Sequence, residues 1–168
     1  MSTPPRTAIC PGTYDPPTLG HIDVIERACR LFDTVIVSIV RSPKHKEPMF
    51  TPEERIAFLR ASLDGRVDNV EFKVFSSLVV EFAREQGAGA IVKGLRAISD
   101  FEWESQMTQL NAGLAPEIET VFLMASPKYS FVSSSGVREI ASFGGDVSAY
   151  VVPDVAAALK VRAVAPDA

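Results

Sequence analysis

Five short runs of apolar and β-branched residues punctuate the chain: Thr7–Cys10, Thr34–Val40, Val70–Phe75, Ala90–Val92 and Thr120–Met124. Stretches with helical spacing separate them, at about 19–31, 52–64, 77–86, 99–112 and 134–143, with a last one near 154–162. Most of the strand runs are apolar without alternation, as a parallel sheet buried on both faces requires. The pattern predicts a doubly wound, Rossmann-like α/β fold, a five-stranded parallel sheet with helices on both faces. Thr51-Pro52-Glu53-Glu54 is a capping box with proline at the first helical position, so it reads as a structural cap. Gly144-Gly145 closes the penultimate helix and Pro153-Asp154 opens the last. With no repeat and no low-complexity tract, one domain over residues 1–168 is expected, with frayed ends at about 1–5 and 163–168.

Length and composition agree with this picture: 168 residues, 46% of them hydrophobic, suffice for a two-sided core. The longest apolar run, Val35–Val40, is far too short to span a bilayer, and no signal-peptide core precedes it, so a soluble cytoplasmic protein is expected. The two cysteines, Cys10 in a strand and Cys29 in a helix, have neither metal-ligand nor disulfide spacing and read as free core thiols. A net charge of −4 gives no long-range attraction for nucleic acid. Any phosphate must therefore be held locally, by a few cations and by helix N-termini.

Polar segments recur where strand runs end. Gly12-Thr13-Tyr14-Asp15-Pro16-Pro17-Thr18-Leu19-Gly20-His21 follows the first, Ser42 to Met49 the second, Lys93-Gly94-Leu95-Arg96 the fourth, and Ser126 to Ser135 the fifth. In a doubly wound sheet these strand ends converge on one crevice, where ligands bind. A strand that turns through Gly and Pro into a helix aims backbone N–H groups and the positive helix end at an anion. Thr13 and His21 add side-chain donors there, and Lys93 and Arg96 flank a glycine in an otherwise acidic chain. Trp103, Met107 and Asn111 share one helix face, either a core stripe or the apolar wall of a pocket. Asp15, between Tyr14 and Pro16, reads as a turn former.

Thr18-Leu19-Gly20-His21 together with Ser133-Ser134-Ser135-Gly136-Val137-Arg138 resembles the two signatures of the (T/H)xGH nucleotidyltransferases. Lys93–Arg96, Asp100-Phe101-Glu102, Val121–Met124 and Gly144–Ser148 sharpen the resemblance, from about Thr7 to Leu159, to the bacterial phosphopantetheine adenylyltransferase family. It implies transfer of the adenylyl group of ATP to 4′-phosphopantetheine, giving dephospho-coenzyme A and pyrophosphate in coenzyme A biosynthesis. It further implies Mg2+, a cytoplasmic homohexamer and no nucleic-acid or membrane partner. Coenzyme A as an inhibitor is a further partner that it leaves open.

By position, the resemblance assigns His21 to transition-state stabilisation, Thr13 and Tyr14 to ATP, and Thr13 also to the substrate phosphate. Gly94, Leu95, Arg96, Glu104 and the run Tyr129, Ser130, Phe131, Val132, Ser133, Ser134 and Ser135 fall on ATP. Lys93, Val79 and a lysine of the Ser42–Met49 loop fall on phosphopantetheine. That loop reads one residue longer than the family form, which leaves Lys46 or Lys44 as the phosphate ligand; Lys46 is favoured by its distance from Pro48. Trp103 stands where tyrosine is common, and Arg138 where lysine is. Magnesium ligands stay unassigned, because Mg2+ usually rides on phosphates and water with few protein contacts.

These residue types suit the chemistry. A phosphate monoester is largely dianionic at neutral pH, so the nucleophile needs alignment and relief of charge repulsion rather than a general base. Direct in-line displacement, with His21, Thr13, Lys46 and Arg96 around the reacting phosphates, follows. Two alternatives stand beside it. One is another (T/H)xGH transferase, acting on nicotinamide mononucleotide or glycerol phosphate, against which Lys93–Arg96 and Asp100–Glu102 argue. The other is a catalytically silent nucleotide or coenzyme A sensor, which would have no use for transition-state contacts.

Overall fold

The computed structural model describes residues 6–41 and 47–164. Five parallel strands, β1 (Thr7–Gly12), β2 (Thr34–Val40), β3 (Val70–Phe75), β4 (Ala90–Leu95) and β5 (Glu119–Met124), form one sheet in the order β3-β2-β1-β4-β5. The helices are α1 (Leu19–Cys29), α2 (Pro52–Leu63), α3 (Val79–Glu85), α4 (Ile98–Leu114), α5 (Ser134–Ser142) and α6 (Pro153–Val164), with a single 3-10 turn at Pro127–Tyr129. The last helix thus includes Ala163 and Val164, which the sequence had suggested were frayed.

Alternate residues of the central strands feed two cores. Ala8, Cys10, Val35, Val37, Ile39, Ala90 and Val92 pack on Ile22, Ile25 and Ala28 of α1 and on Leu59 and Leu63 of α2. Ile9, Ile36, Phe75 and Ile91 face the other way, onto Val80, Phe82 and Ala83 of α3 and onto Ala115 and Ile118 beyond α4. This two-sided burial explains why β2 reads as unbroken apolar sequence. A third cluster of Phe50, Val132, Val137, Ala141, Val147, Val151, Val155 and Leu159 welds α5 and α6 to the start of α2.

β4 is three residues longer than its apolar run, so Lys93-Gly94-Leu95 belongs to the strand and pairs with Phe122-Leu123-Met124 of β5. The glycine therefore lies inside a paired strand. A Cβ on Gly94 would come within 3.0 Å of the Val24 side chain, so the missing side chain lets α1 lie close to β4.

The order of strands reverses between β1 and β4, and there the sheet also splits. β1 pairs with β4 only at Ala8 and Ile9, whereas its pairing with β2 runs on to Gly12 and that of β4 with β5 runs to Leu95. Pro11, with no N–H to donate, sits where the two strands part. The crevice opens along that split.

Candidate functional site

A cavity of about 540 Å³ fills the split, within the usual range for small-molecule sites. Its walls come from Gly12–Asp15 after β1, Thr18, Gly20 and His21 at the start of α1, Lys93, Gly94 and Arg96 at the end of β4, Trp103 and Glu104 of α4, and Tyr129 and Val132–Ser135 before and at α5. The N-termini of α1 and α5 both open on it, which suits an anionic ligand.

The turn after β1 is tightly determined. Tyr14 adopts a left-handed backbone, φ 52°, and its ring turns back over Gly12, where a Cβ would lie 2.8 Å from it. Its hydroxyl donates to the Cys10 carbonyl at 2.9 Å, and burial pushes its pKa well up. Asp15, only 4% exposed, is more than the turn former that its neighbours suggest. Its carboxylate accepts the Met49 and Phe50 amides at 2.8 and 2.9 Å, and Arg138 donates to its carbonyl and forms an ion pair with its carboxylate at 3.6 Å. Ser134 donates to the Pro16 carbonyl at 2.8 Å. The first loop is thereby tied to the starts of α2 and α5, two elements far from it in sequence.

His21 is the third residue of α1 and completes a capping box with Thr18. The Thr18 amide donates to Nδ1 at 3.0 Å, so the neutral ring carries its proton on Nε2. Burial, and then the charge of Arg96, push the imidazole pKa down to about 4. The ring packs edge-on against Tyr14, at 5.0 Å between centroids. His21 is thus both a cap and, through its second nitrogen, a neutral donor in a wall of the cavity.

The cations are paired. Lys93 meets Glu104 at 3.0 Å. Arg96 forks onto Asp100, Nε to Oδ2 at 3.0 Å and Nη2 to Oδ1 at 3.2 Å, while Nη1 reaches the Val132 carbonyl at 3.3 Å. Burial works to raise the Asp100 carboxyl, but bonds from the Arg96 side chain and backbone outweigh it and hold the group below the usual range. Ser133 caps α5 by accepting the Gly136 amide, and its hydroxyl lies 3.2 Å from that of Ser135.

Of the residues expected from the sequence, Thr13, Tyr14, His21, Lys93, Gly94, Arg96, Glu104, Tyr129 and Val132–Ser135 meet at the cavity. Leu95 is buried behind it, Val79, the first residue of α3, packs at the edge of the core, and Ser130 and Phe131 stand outside its lining, Phe131 exposed against Tyr150. Lys44 and Lys46 lie outside the described residues. Trp103 borders the cavity, but Met107 and Asn111 do not, and the helix face they share is exposed rather than core. Among the described residues no three His, Cys, Asp or Glu side chains cluster as a metal cage. The carboxylates of Asp15, Asp100 and Glu104 are instead engaged by protein donors.

The cytidylyltransferase-like family model matches residues 9–140, which span the first loop, both ion pairs and the start of α5. A phosphopantetheine adenylyltransferase of Heliobacterium modesticaldum is 51% identical over 155 residues, 92% of this chain and 91% of that protein. One from Thioalkalivibrio sulfidiphilus is 52% identical over 155 residues, covering 92% and 96%. The chain belongs to the phosphopantetheine adenylyltransferase family. Among solved structures, the bifunctional NMN adenylyltransferase/ADP ribose pyrophosphatase of Francisella tularensis superposes with a TM-score of 0.70 at 16% identity, over 94% of this chain and 49% of that one. The nicotinic acid mononucleotide adenylyltransferase of Plasmodium falciparum gives 0.66 at 16% identity, over 94% and 95%. At such identity these two likenesses establish the fold, while the choice within the superfamily rests on the relatives at half identity.

Proposed function

We infer that the protein transfers the adenylyl group of ATP to 4′-phosphopantetheine, releasing pyrophosphate and dephospho-coenzyme A. The observation that carries the mechanism is His21: Nδ1 is spent on the Thr18 amide and the pKa is driven down to about 4, so a neutral Nε2–H donor lines the cavity at working pH. A phosphate oxygen of phosphopantetheine attacks the α-phosphorus in line, the bond from the α-phosphorus to the α,β-bridging oxygen breaks, and pyrophosphate leaves with that electron pair. His21 Nε2–H meets the negative charge that builds on the α-phosphate. Arg96, Lys93 and the N-termini of α1 and α5 offset the charge of the triphosphate and of the incoming monoester. Thr13, beside the split in the sheet, contacts both reactants. Of the two loop lysines, Lys46 is the preferred ligand for the substrate phosphate.

The engaged state of the cavity carboxylates favours a magnesium ion that arrives on the ATP phosphates and keeps most of its water over one caged by protein. It would lessen the charge of the phosphates. Self-association as a homohexamer is supported by a stripe along α4: Trp103, Met107, Leu110 and Leu114, spaced at helical intervals, are 67%, 37%, 61% and 55% exposed. Light scattering should return a multimer, and a monomer mass at micromolar concentration would remove this part of the reading. No described helix is long and apolar enough to cross a membrane. A cytoplasmic location agrees with that and with the free state of both cysteines.

Incubation with ATP, magnesium and phosphopantetheine, followed by mass spectrometry, tests the activity directly. Pyrophosphate and dephospho-coenzyme A should appear in equal amounts. Nucleotide binding without either product would leave the sensor reading in its place.

A further inference from the structure

One cation near the cavity is not in its lining. Arg55, one turn into α2, is 1% exposed and is the largest fully buried side chain among the described residues. Its guanidinium is held by main-chain carbonyls: Nη1 donates to Thr13 at 2.7 Å and to Val40 at 3.0 Å, Nη2 to Arg41 at 3.2 Å, and Nε to Thr51 at 3.3 Å. Thr13 is the residue after β1, and Val40 ends β2. One planar group thus locks the exit of β1, which carries the first loop, to the exit of β2. Four directed bonds to four carbonyls use the fork geometry that lysine lacks.

A stack of leucines would support α2 without a buried charge, and burying a cation is costly unless its hydrogen bonds are made. The pull of that charge falls on the carbonyl of Thr13, in a residue that lines the cavity. We propose that Arg55 is a positioning residue for adenylyl transfer, setting the place of Thr13 against the reacting phosphates and holding a fixed positive charge beneath the β1 exit. The role goes beyond packing, and it rests on the activity proposed above.

Arg55→Lys keeps the charge and loses the fork. Leu59→Ala, one turn along the same buried stripe, supplies a destabilised control at a residue outside the cavity lining. With ATP and phosphopantetheine saturating, single-turnover rate per folded molecule should fall about 10- to 100-fold in Arg55→Lys, as expected for a small misplacement of a reacting-site contact. Its ATP Kd, by calorimetry, should stay within about threefold of wild type, because adenylate contacts elsewhere are intact. Leu59→Ala should melt early and react at the normal rate.

A normal rate in folded Arg55→Lys, or an equal loss of rate in Leu59→Ala, would make Arg55 a packing residue and overturn the proposal. A second measurement needs no variant. In wild-type protein carrying 15N-arginine, the Arg55 Nε and Nη resonances should move when phosphopantetheine and a non-hydrolysable ATP analogue bind. Resonances that stay still while those of Arg96 move would also overturn it. Wild-type protein that makes no pyrophosphate in the same assay would instead sink the activity reading, and the proposal with it.

Discussion

Two walls of one cavity are built by different means. The wall from Gly12 to His21 is held from inside: Tyr14 against the Cys10 carbonyl, Asp15 on two amides of the distant residues Met49 and Phe50, and His21 on the Thr18 amide. Tyr14, Asp15 and Thr18 are buried, and water cannot replace the bonds they would lose. The wall from Lys93 to Glu104 is held by ion pairs at the rim, in which each partner keeps a quarter or more of its side-chain surface. Such pairs contribute little to stability and exchange readily with solvent or with an incoming anion. A reaction that needs alignment on one side and tolerance of a bulky, highly charged nucleotide on the other is served by this division. On the proposed reading, rigidity is placed where charge develops, and adjustable cations where the triphosphate enters.

The largest effect should come from the rigid wall. His21→Ala removes the Nε2 donor and the cap together, so turnover per folded molecule should drop by roughly 10²–10³, as for one lost transition-state donor. ATP affinity should change little, and the loss of the cap should cost about 1 kcal/mol of stability. Single-turnover kinetics, calorimetry and thermal melting on one preparation separate these terms. A variant that melts early and reacts at the normal rate would reduce His21 to a helix cap.

The same residue makes the rigid wall sensitive to acid. The folded pKa of about 4 lies below the ordinary 6.5, so between those values the unfolded chain binds a proton that the folded one refuses. The His21 contribution is therefore complete above about pH 6.5 and is lost as pH falls towards 4, over which stability should decline by roughly 2–3 kcal/mol. Melting curves in that window should flatten in His21→Asn. An acid limb of kcat/KM near pH 6 should persist in the variant, because it belongs to the second ionisation of the phosphate monoester. If the limb disappears with His21, the histidine titrates in catalysis and its neutral role is wrong.

For the charged side of the cavity, Lys46→Ala should weaken phosphopantetheine by about 1.5–3 kcal/mol, the loss of one charge-assisted bond, and Lys44→Ala by much less. Steady-state KM values for the two variants decide this. Small, equal effects would mean that neither lysine meets the phosphate.

How far the site could be read from sequence follows the same division. The five-stranded doubly wound sheet, the cap of α2 and the convergence of Thr13, His21, Lys93 and Arg96 were legible, because apolar runs, capping residues and strand ends are local patterns. The buried ties of the rigid wall were not. Asp15 finds its acceptor role 34 and 35 residues away, on amides whose placement depends on how α2 packs. Arg55 bonds carbonyls of two distant segments, at Thr13 and at Val40–Arg41, and its one local signal is a cation at the head of the stripe Arg55, Leu59, Ser62 and Leu63. Lys93–Leu95 reads as a segment beyond the strand because its apolar run stops at Val92, although pairing with β5 carries the strand on. Val79, Leu95, Ser130 and Phe131 were placed by resemblance alone, and this chain sets them off the cavity lining.

The smallest effect should come from Asp100, and its sign tests what the rim pairs do. Asp100 sits in the first turn of α4 and accepts the Arg96 backbone amide at 3.1 Å as well as its side-chain fork. If it only balanced charge, it would compete with the triphosphate for Arg96, and Asp100→Asn would tighten ATP. The double hold on backbone and guanidinium argues for orientation instead, with Nη1 already directed to the Val132 carbonyl beside α5. Asp100→Asn keeps the shape and loses the charge. It should therefore weaken ATP by about two- to fivefold while shifting stability by less than about 1 kcal/mol, the range of exposed pairs. Calorimetric titration at low and high salt gives the sign. Tighter binding in the variant, most marked at low salt, would show that Asp100 restrains a cation which the nucleotide must pull free, and the rim would then be a barrier to entry rather than an adjustable guide.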